Sequence, residues 1–184
     1  MNFKEILQKI EVKQQQSFYP LPEFRERGTK LLPVKSRGLY WLWTKLDFSE
    51  LGNCLDTDGH KGEVPIRKLI EARKDLSFIC NIRKDDFRIV YNGIGGYKIR
   101  TSGYGLRGRI LQELNAKNVR TGSLNLMNRG FKPEDWAVSF FDFDAPENHE
   151  IIKELREEGF YTKYAADLEM LWRLEYGHPI LCRH

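Results

Sequence analysis

The segment that most constrains the fold is "GLYWLWTK", residues 38–45. Five consecutive residues in it are leucine, tyrosine or tryptophan, with no polar residue between them. Aromatic residues favour strands, and a short continuous apolar run is typical of a strand that is buried on both faces. The segment therefore predicts a buried strand within a sheet.

Two other segments predict strands, namely "SFICNIRKDDFRIVYNG" and "DWAVSFFDFD". The first contains turn residues at 84–86 and is predicted to form a hairpin. Apolar residues at helical spacing, a proline at a helix start and glycines at helix ends predict helices. These helices are expected at about 2–13, 64–76, 106–114, 148–159 and 165–177. Because strands and helices mix without a regular repeat, we expect an α+β fold with a small central antiparallel β-sheet flanked by helices.

The size and composition of the chain predict one main domain. Its 184 residues are 41% hydrophobic, which is enough for a single core. Residues 1–35 are predicted to be an N-terminal helix and a proline-punctuated connector arm, followed by the domain at 36–184. Three widely spaced cysteines without metal-binding spacing suit a reducing cytoplasm, and no apolar segment is long enough for a membrane span. We therefore expect a cytoplasmic protein without a membrane partner.

Charge is distributed unevenly along the chain, although the net charge is only +4. Residues 82–132 contain eleven Lys and Arg against three Asp and Glu, whereas residues 133–184 contain five against twelve. A local excess of positive charge suits a polyanion, because neutralised phosphates release counterions. A solvated basic face is the alternative interpretation of the same pattern.

The glycine-rich passage within the basic region also matches a dinucleotide-binding loop. Residues 103–108, "GYGLRG", fit the GxGxxG pattern before a helix. However, Lys98 and Arg100 lie in the segment that would be a central parallel strand, where nearly all residues should be apolar. An acidic strand end about 20 residues later is also missing from the sequence. A dinucleotide-binding protein is therefore the least favoured interpretation.

Four short motifs follow one another along the chain: "GLY" at 38–40, "YNG" at 91–93, "LRGR" at 106–109 and "EMLW" at 169–172. In this order they resemble the GIY-YIG nuclease family, over about residues 36–182. In that family a strand with G-[IL]-Y lies beside a strand with Y-x-G, an arginine follows on a helix, and a late helix has a metal-binding glutamate. The resemblance implies a GIY-YIG-like fold and a metal-dependent endonuclease. The catalytic residues that it implies are Tyr40, Tyr91, Arg109 and Glu169, with Glu169 as the metal ligand.

The sequence departs from the family pattern at three places. About 50 residues separate Tyr40 from Tyr91, where compact members have a short hairpin and restriction-enzyme-like members have longer insertions. One helical turn after the arginine stands Glu113, where the family commonly has histidine or tyrosine, and Cys182 stands where it has asparagine. A second alignment pairs Cys80 with Tyr91 at hairpin spacing, so that Cys80 replaces the first tyrosine.

The implied residues suit phosphodiester hydrolysis on chemical grounds. A carboxylate such as Glu169 can anchor Mg²⁺ as the single protein ligand, because magnesium keeps several waters and uses substrate oxygens. Glu169 is expected to be exposed on its helix, since the apolar residues around it account for the buried face. Arg109 can bind phosphate oxygens through two N–H groups and keeps its charge. A tyrosine has a pKa of about 10, so Tyr40 or Tyr91 needs a nearby cation to act as a general base.

The basic passage is predicted to be the DNA-facing part of the protein. Its phosphate contacts are expected to be Lys98, Arg100 and Arg107, and Tyr104 is expected to stack on bases or to pack inside the loop. The glycines of "YNGIGG" are expected to let a phosphate backbone approach closely. Cleavage of both strands of double-stranded DNA would need two active sites, which favours a homodimer on DNA. The expected function is a Mg²⁺-dependent, restriction-enzyme-like DNA endonuclease, and the alternative is a catalytically weakened DNA-binding module.

Overall fold

A computed structural model describes residues 2–55, 64–96, 105–114, 123–157 and 165–183. Its centre is a five-stranded antiparallel sheet, and helices cover both faces of that sheet. This arrangement confirms the predicted α+β fold with a small antiparallel sheet between helices.

The strand that contains "GLYWLWT" lies in the middle of the sheet. The strands are β1 (Phe18–Pro20), β2 (Gly38–Thr44), β3 (Arg83–Lys84), β4 (Phe87–Gly95) and β5 (Trp136–Asp142). Their spatial order is β1-β5-β2-β4-β3, and every neighbouring pair is antiparallel. All seven residues of β2 are buried, so the prediction of a buried strand is confirmed. The predicted hairpin is also present as β3 and β4, with Asp85 at φ 51° in its turn.

Helices pack on the sheet in two layers, each with its own core. The helices of the described residues are α1 (Phe3–Gln16), α2 (Leu21–Leu31), α3 (Phe48–Gly52), α4 (Ile66–Arg73), α5 (Leu106–Leu114), α6 (Lys153–Glu157) and α7 (Ala165–Tyr176). Helices α2, α3, α4 and α5 contribute to the core on one face, together with Tyr40 and Leu42 of β2. Helices α1, α6 and α7 contribute to the core on the other face, together with Trp41 and Trp43. The alternation of side chains along β2 thus supplies both cores from one strand.

The segment predicted to be a proline-punctuated connector contains a helix that was not predicted from the sequence. Helix α2 begins at Leu21, after Pro20 and with Pro22 in its first turn. Proline is tolerated there because the first N–H groups of a helix have no intrahelical acceptor. Leu21 and Phe24 are fully buried, and this burial stabilises the helix against the sheet.

The segment before residue 36 packs closely with the rest of the chain. Strand β1 pairs with β5, and α1 buries Ile6, Leu7 and Ile10 against the sheet. The predicted boundary between residues 35 and 36 stays a prediction.

Within the described ranges, no helix combines the length and the apolar character that a membrane span requires.

A buried chain of hydrogen bonds ties α1 to the sheet and to α7. Trp43 Nε1 donates to Ser139 Oγ at 2.8 Å, and Ser139 Oγ donates to Gln14 Oε1. Gln14 Nε2 in turn donates to Glu11 Oε1 at 2.8 Å, and Trp172 Nε1 donates to Glu11 Oε2 at 2.9 Å. Buried polar groups are stable only when they are hydrogen-bonded, so these contacts fix how the helices lie on the sheet.

We expect Ser139→Ala to reduce the free energy of unfolding by about 1–3 kcal/mol, because Trp43 Nε1 and Gln14 Oε1 both lose a buried partner. Urea denaturation measures this change. The control is Ser49→Ala, at an exposed position on α3, which should change stability by less than about 0.5 kcal/mol. Equal effects of the two substitutions would show that the buried chain does not stabilise the fold.

Candidate active site

The candidate site lies beside the outer edge of β4. Strand β3 pairs only with Phe87 and Arg88 at the start of β4. Beyond Arg88, the C-terminal segment lies along this edge of β4 in place of β3, and the Leu181 N–H donates to the Val90 carbonyl at 2.9 Å. Arg73 of α4 holds this segment by donating to the carbonyl oxygen of Ile180 at 3.1 Å.

Glu113 of α5 is the point on which the site residues converge, and its side chain is completely buried. Its Oε1 accepts from Tyr40 Oη at 2.8 Å and from Tyr91 Oη at 3.4 Å, and it lies 3.0 Å from Arg109 Nη2. Its Oε2 accepts from the Leu124 N–H at 2.8 Å. Three of the four predicted catalytic residues therefore touch one carboxylate.

The two predicted tyrosines lie on neighbouring strands, with ring centroids 6.1 Å apart. Tyr40 is fully buried, whereas Tyr91 is partly exposed. Gly93 lies opposite Tyr40 in the sheet, and a Cβ at this position would come within 2.5 Å of the tyrosine ring. The glycine of "YNG" thus makes room for Tyr40, not for a phosphate backbone as expected from the sequence.

Both tyrosine hydroxyls are held in their protonated form. Burial raises the pKa of Tyr40 and of Tyr91 well above the ordinary value, and the negative charge of Glu113 raises both further. Arg109 acts in the opposite direction on each of them. The tyrosine that reaches the surface, Tyr91, is therefore a neutral hydrogen-bond donor at physiological pH.

Arg109 of α5 bridges the buried carboxylate and the surface. Its side chain is 23% exposed and also donates from Nη1 to Gln112 Oε1 at 2.7 Å. Burial lowers the pKa of Arg109, but Tyr40, Glu113 and Tyr91 together outweigh this effect and raise it above the ordinary value. The guanidinium therefore stays charged while it is engaged by Glu113 and Gln112.

Glu169 of α7 is largely buried, which differs from the exposed position expected from the sequence. Its side chain is 16% exposed, and Oε1 lies 2.5 Å from Arg173 Nη2. Burial raises the pKa of Glu169, while Arg173 and then Arg109 lower it and Glu113 raises it. The carboxylate therefore lies in the same electrostatic environment as the α5 residues, although α7 packs on the other face of the sheet.

Arg173, Asn92 and Cys182 form a second part of the site that the sequence did not predict. Arg173 Nε donates to Asn92 Oδ1 at 2.8 Å, and the Cys182 thiol donates to the same oxygen at 3.1 Å. Burial raises the pKa of Cys182 to about 12, so its thiol is protonated. The available signal in the sequence was the spacing of Glu169 and Arg173, which are four residues apart on one helix.

Cys80 lies away from this cluster. Its N–H donates to the His178 carbonyl at 3.0 Å, and its side chain belongs to the core formed by α1, α6 and α7. Burial raises the pKa of Cys80 to about 12. The structure therefore places Tyr40, not Cys80, beside Tyr91, although the residue paired with Tyr91 in the sheet is Leu42.

The predicted DNA contacts lie mostly outside the described residues, which applies to Lys98, Arg100 and Tyr104. Arg107 is described, and it lies half-buried in the first turn of α5. Gly105, just before that helix, packs so closely that a Cβ would lie 1.9 Å from the Val34 carbonyl oxygen. This glycine of the GxGxxG match is therefore required by chain packing.

The residues around Glu169 are compatible with one hard cation. Across the ranges that the structure covers, no group of three or more His, Cys, Asp or Glu residues is placed to bind a metal ion. Glu169 would be a single oxygen ligand, and within the same ranges the one hydrogen bond to its carboxylate comes from Arg173 to Oε1. A single carboxylate oxygen suits Mg²⁺, which keeps most of its waters, and would not suit Zn²⁺.

Comparison with protein-family models, curated proteins and solved structures finds no match to this chain. The function is therefore inferred from the residues of the site and from their geometry.

We expect Arg173→Met to reduce the free energy of unfolding by about 2–4 kcal/mol, because Glu169 and Asn92 both lose a largely buried partner. Arg27→Met is the control, since Arg27 pairs with Glu23 at the same four-residue spacing but with side chains that are 53% and 38% exposed. This control should cost less than about 1 kcal/mol. Urea denaturation at pH 7 measures the free energy of unfolding of both variants. Equal losses in the two would show that the buried Arg173–Glu169 pair is no more important for stability than the exposed Arg27–Glu23 pair.

Proposed function

We propose that the protein is a Mg²⁺-dependent DNA endonuclease of the GIY-YIG type that hydrolyses phosphodiester bonds. The observation that carries the proposal is that Tyr91 and Arg109 both contact Glu113, while Glu169 lies near enough for its charge to raise the pKa of Tyr91. They come from β4, α5 and α7, and about 80 residues separate the first from the last. These are the residue types that phosphodiester hydrolysis needs.

Each of the three partly exposed residues has a role in this reaction. Arg109 binds the oxygens of the scissile phosphate and stabilises the charge that grows on them in the transition state. Tyr91 hydrogen-bonds to the attacking water and orients it. Glu169 would hold Mg²⁺, which would supply further charge stabilisation at the phosphate.

The strand order supports the resemblance to GIY-YIG nucleases. The strand with "GLY", β2, lies directly beside the strand with "YNG", β4, and the arginine follows on α5. Tyr40 is fully buried, so it acts on the substrate only indirectly, through its hydrogen bond to Glu113. Tyr91 is the tyrosine that contacts the substrate. This division of roles replaces our expectation from the sequence that either tyrosine could face the water.

DNA is the proposed substrate because two of the three partly exposed site residues, Tyr91 and Arg109, lie within the most basic part of the sequence. Residues 82–132 include Tyr91, Arg107 and Arg109 and have a net charge of +8. Positive charge around the site attracts the phosphate backbone without regard to sequence. A restriction-enzyme-like protein that cuts both strands of double-stranded DNA would bind as a homodimer.

A catalytically weakened DNA-binding module is the second candidate, and one observation favours it. Glu113 binds the hydroxyl of Tyr40 and the guanidinium of Arg109, so both groups are already engaged in the absence of DNA. A site in which these contacts persist would bind phosphate without hydrolysing it. Metal-dependent cleavage separates the two candidates.

The purified protein should nick supercoiled plasmid DNA with Mg²⁺ and not with EDTA. Glu169→Gln should abolish cleavage while DNA binding, measured by fluorescence anisotropy, is retained. Glu175→Gln is the matched control on the same helix, because Glu175 pairs with the exposed Lys4 at the protein surface. Full cleavage by Glu169→Gln would contradict the assignment, and binding without cleavage by the parent protein would favour the DNA-binding module.

Tyr91→Phe should reduce the cleavage rate on the order of 10²-fold or more, because it removes the hydroxyl that orients water. Tyr40→Phe should also reduce the rate, because Glu113 loses its 2.8 Å hydrogen bond. Cys80→Ser should keep the parental rate and lose modest stability, since it places a hydroxyl in an apolar core. Single-turnover rates and melting temperatures measure these effects. An inactive but folded Cys80→Ser beside a fully active Tyr40→Phe would support the hairpin alignment instead.

A further inference from the structure

We infer that Glu113 is the terminal proton acceptor of the site and takes the proton of the attacking water through the hydroxyl of Tyr91. This inference rests on the proposed function, and it adds a residue whose identity departs from the family pattern. Glu113 is a positioning residue in this scheme, because it acts on water only through Tyr91.

The contacts of Glu113 favour its carboxylate form: burial raises its pKa, and Arg109, the Leu124 N–H and the two tyrosines act in the opposite direction. All four of its partners are donors: the hydroxyls of Tyr40 and Tyr91, the guanidinium of Arg109 and the N–H of Leu124. The Arg109 guanidinium and the Leu124 N–H can only donate, and they lie on different oxygens of Glu113, so an amide at this position would turn its own N–H groups toward one of them. Four donors around a fully buried side chain compensate for the cost of burying a negative charge.

The two tyrosines differ in solvent exposure, and this difference gives them different roles. Tyr40 is fully buried and makes the shorter hydrogen bond, so it fixes the carboxylate in place. Tyr91 is partly exposed, so of the two tyrosines it is the one that solvent reaches, and its hydroxyl contacts the carboxylate. Its 3.4 Å distance to Glu113 Oε1 is long for an O–H donor, as is common for catalytic contacts before substrate binds.

The proposed step moves two protons along one path. The water oxygen forms its bond to phosphorus while one of its O–H bonds breaks, and that proton passes to Tyr91 Oη. The original proton of Tyr91 passes to Glu113 Oε1, so the tyrosine remains neutral. The bond from phosphorus to the leaving oxygen breaks, and that oxygen takes a proton from solvent. Glu113 later returns its proton to solvent by the reverse path.

Arg109 couples this step to substrate binding. In the free protein its guanidinium lies 3.0 Å from Glu113 Oε1 and stabilises the carboxylate. When Arg109 turns toward a phosphate, the carboxylate loses part of this stabilisation and becomes a stronger base. The proton acceptor is therefore strengthened only when a phosphate is present.

Glu113→Gln tests the inference, with Glu11→Gln as the matched control. Glu11 is also a buried glutamate, 7% exposed, but it lies on α1, on the other face of the sheet. Its carboxylate oxygens accept hydrogen bonds from side-chain N–H groups of Gln14, Gln15 and Trp172. Both variants should lose stability, and Glu113→Gln should lose single-turnover cleavage on the order of 10²-fold or more beyond any loss in Glu11→Gln, with DNA affinity retained. A folded Glu113→Gln that cleaves like Glu11→Gln would overturn the inference and leave the nuclease assignment in place.

A measurement on the parent protein keeps the inference testable if Glu113→Gln does not fold. The single-turnover rate is recorded in mixtures of H₂O and D₂O at constant Mg²⁺ and saturating DNA. Two protons in motion predict a curved dependence of the rate on the deuterium fraction. A linear dependence, or no isotope effect, would overturn the relay. Absence of cleavage by the parent protein would instead overturn the proposed function together with the relay.

Discussion

The buried carboxylate of Glu113 is the interaction on which the rest of the site depends. A negative charge without exposure is stable only if donors surround it, and here they come from β2, β4, α5 and the segment at Leu124. These four parts of the chain must therefore be in place together before the charge can be buried. The same contacts bring Tyr91 and Arg109 to the surface at a fixed separation, so the stability of this region and the geometry of the site have one physical origin.

The location of the site follows from the shape of the sheet. Helices α5 and α7 pack on opposite faces, and side chains from both can approach one another only where the sheet ends. Because β3 is short, most of the outer edge of β4 is left to the C-terminal segment. At this edge the positive charge of Arg109 lowers the pKa of Glu169. On the face of α7, the chain of hydrogen bonds from Trp43 to Trp172 fixes the helix that supplies Glu169. A catalytic assignment for this edge thus uses both cores of the protein.

Much of the fold could be predicted from local patterns. The continuous apolar run of β2, the turn before β4 and the glycine after α7 each indicated an element that the structure contains. Helix α2 was missed because its prolines were interpreted as breaks, although proline is compatible with a first helical turn and burial of Phe24 stabilises the helix. The exposed position expected for Glu169 was also wrong, since the apolar pattern of a helix does not reveal a partner such as Arg173 that allows a carboxylate to be buried.

The sequence by itself determined the secondary structure of the central strands, the helix from Leu106 to Leu114, and the residue types that a phosphodiester-cleaving site requires. These properties follow from local spacing and from side-chain chemistry, which can be recognised without knowledge of distant contacts. Only the tertiary structure decided that Tyr40 and not Cys80 adjoins Tyr91, that Tyr40 is buried while Tyr91 is partly exposed, and that Glu113 joins them. The reason is that these facts depend on strand order, on register and on which helix covers which face, and those are set by packing between residues that lie far apart in the chain.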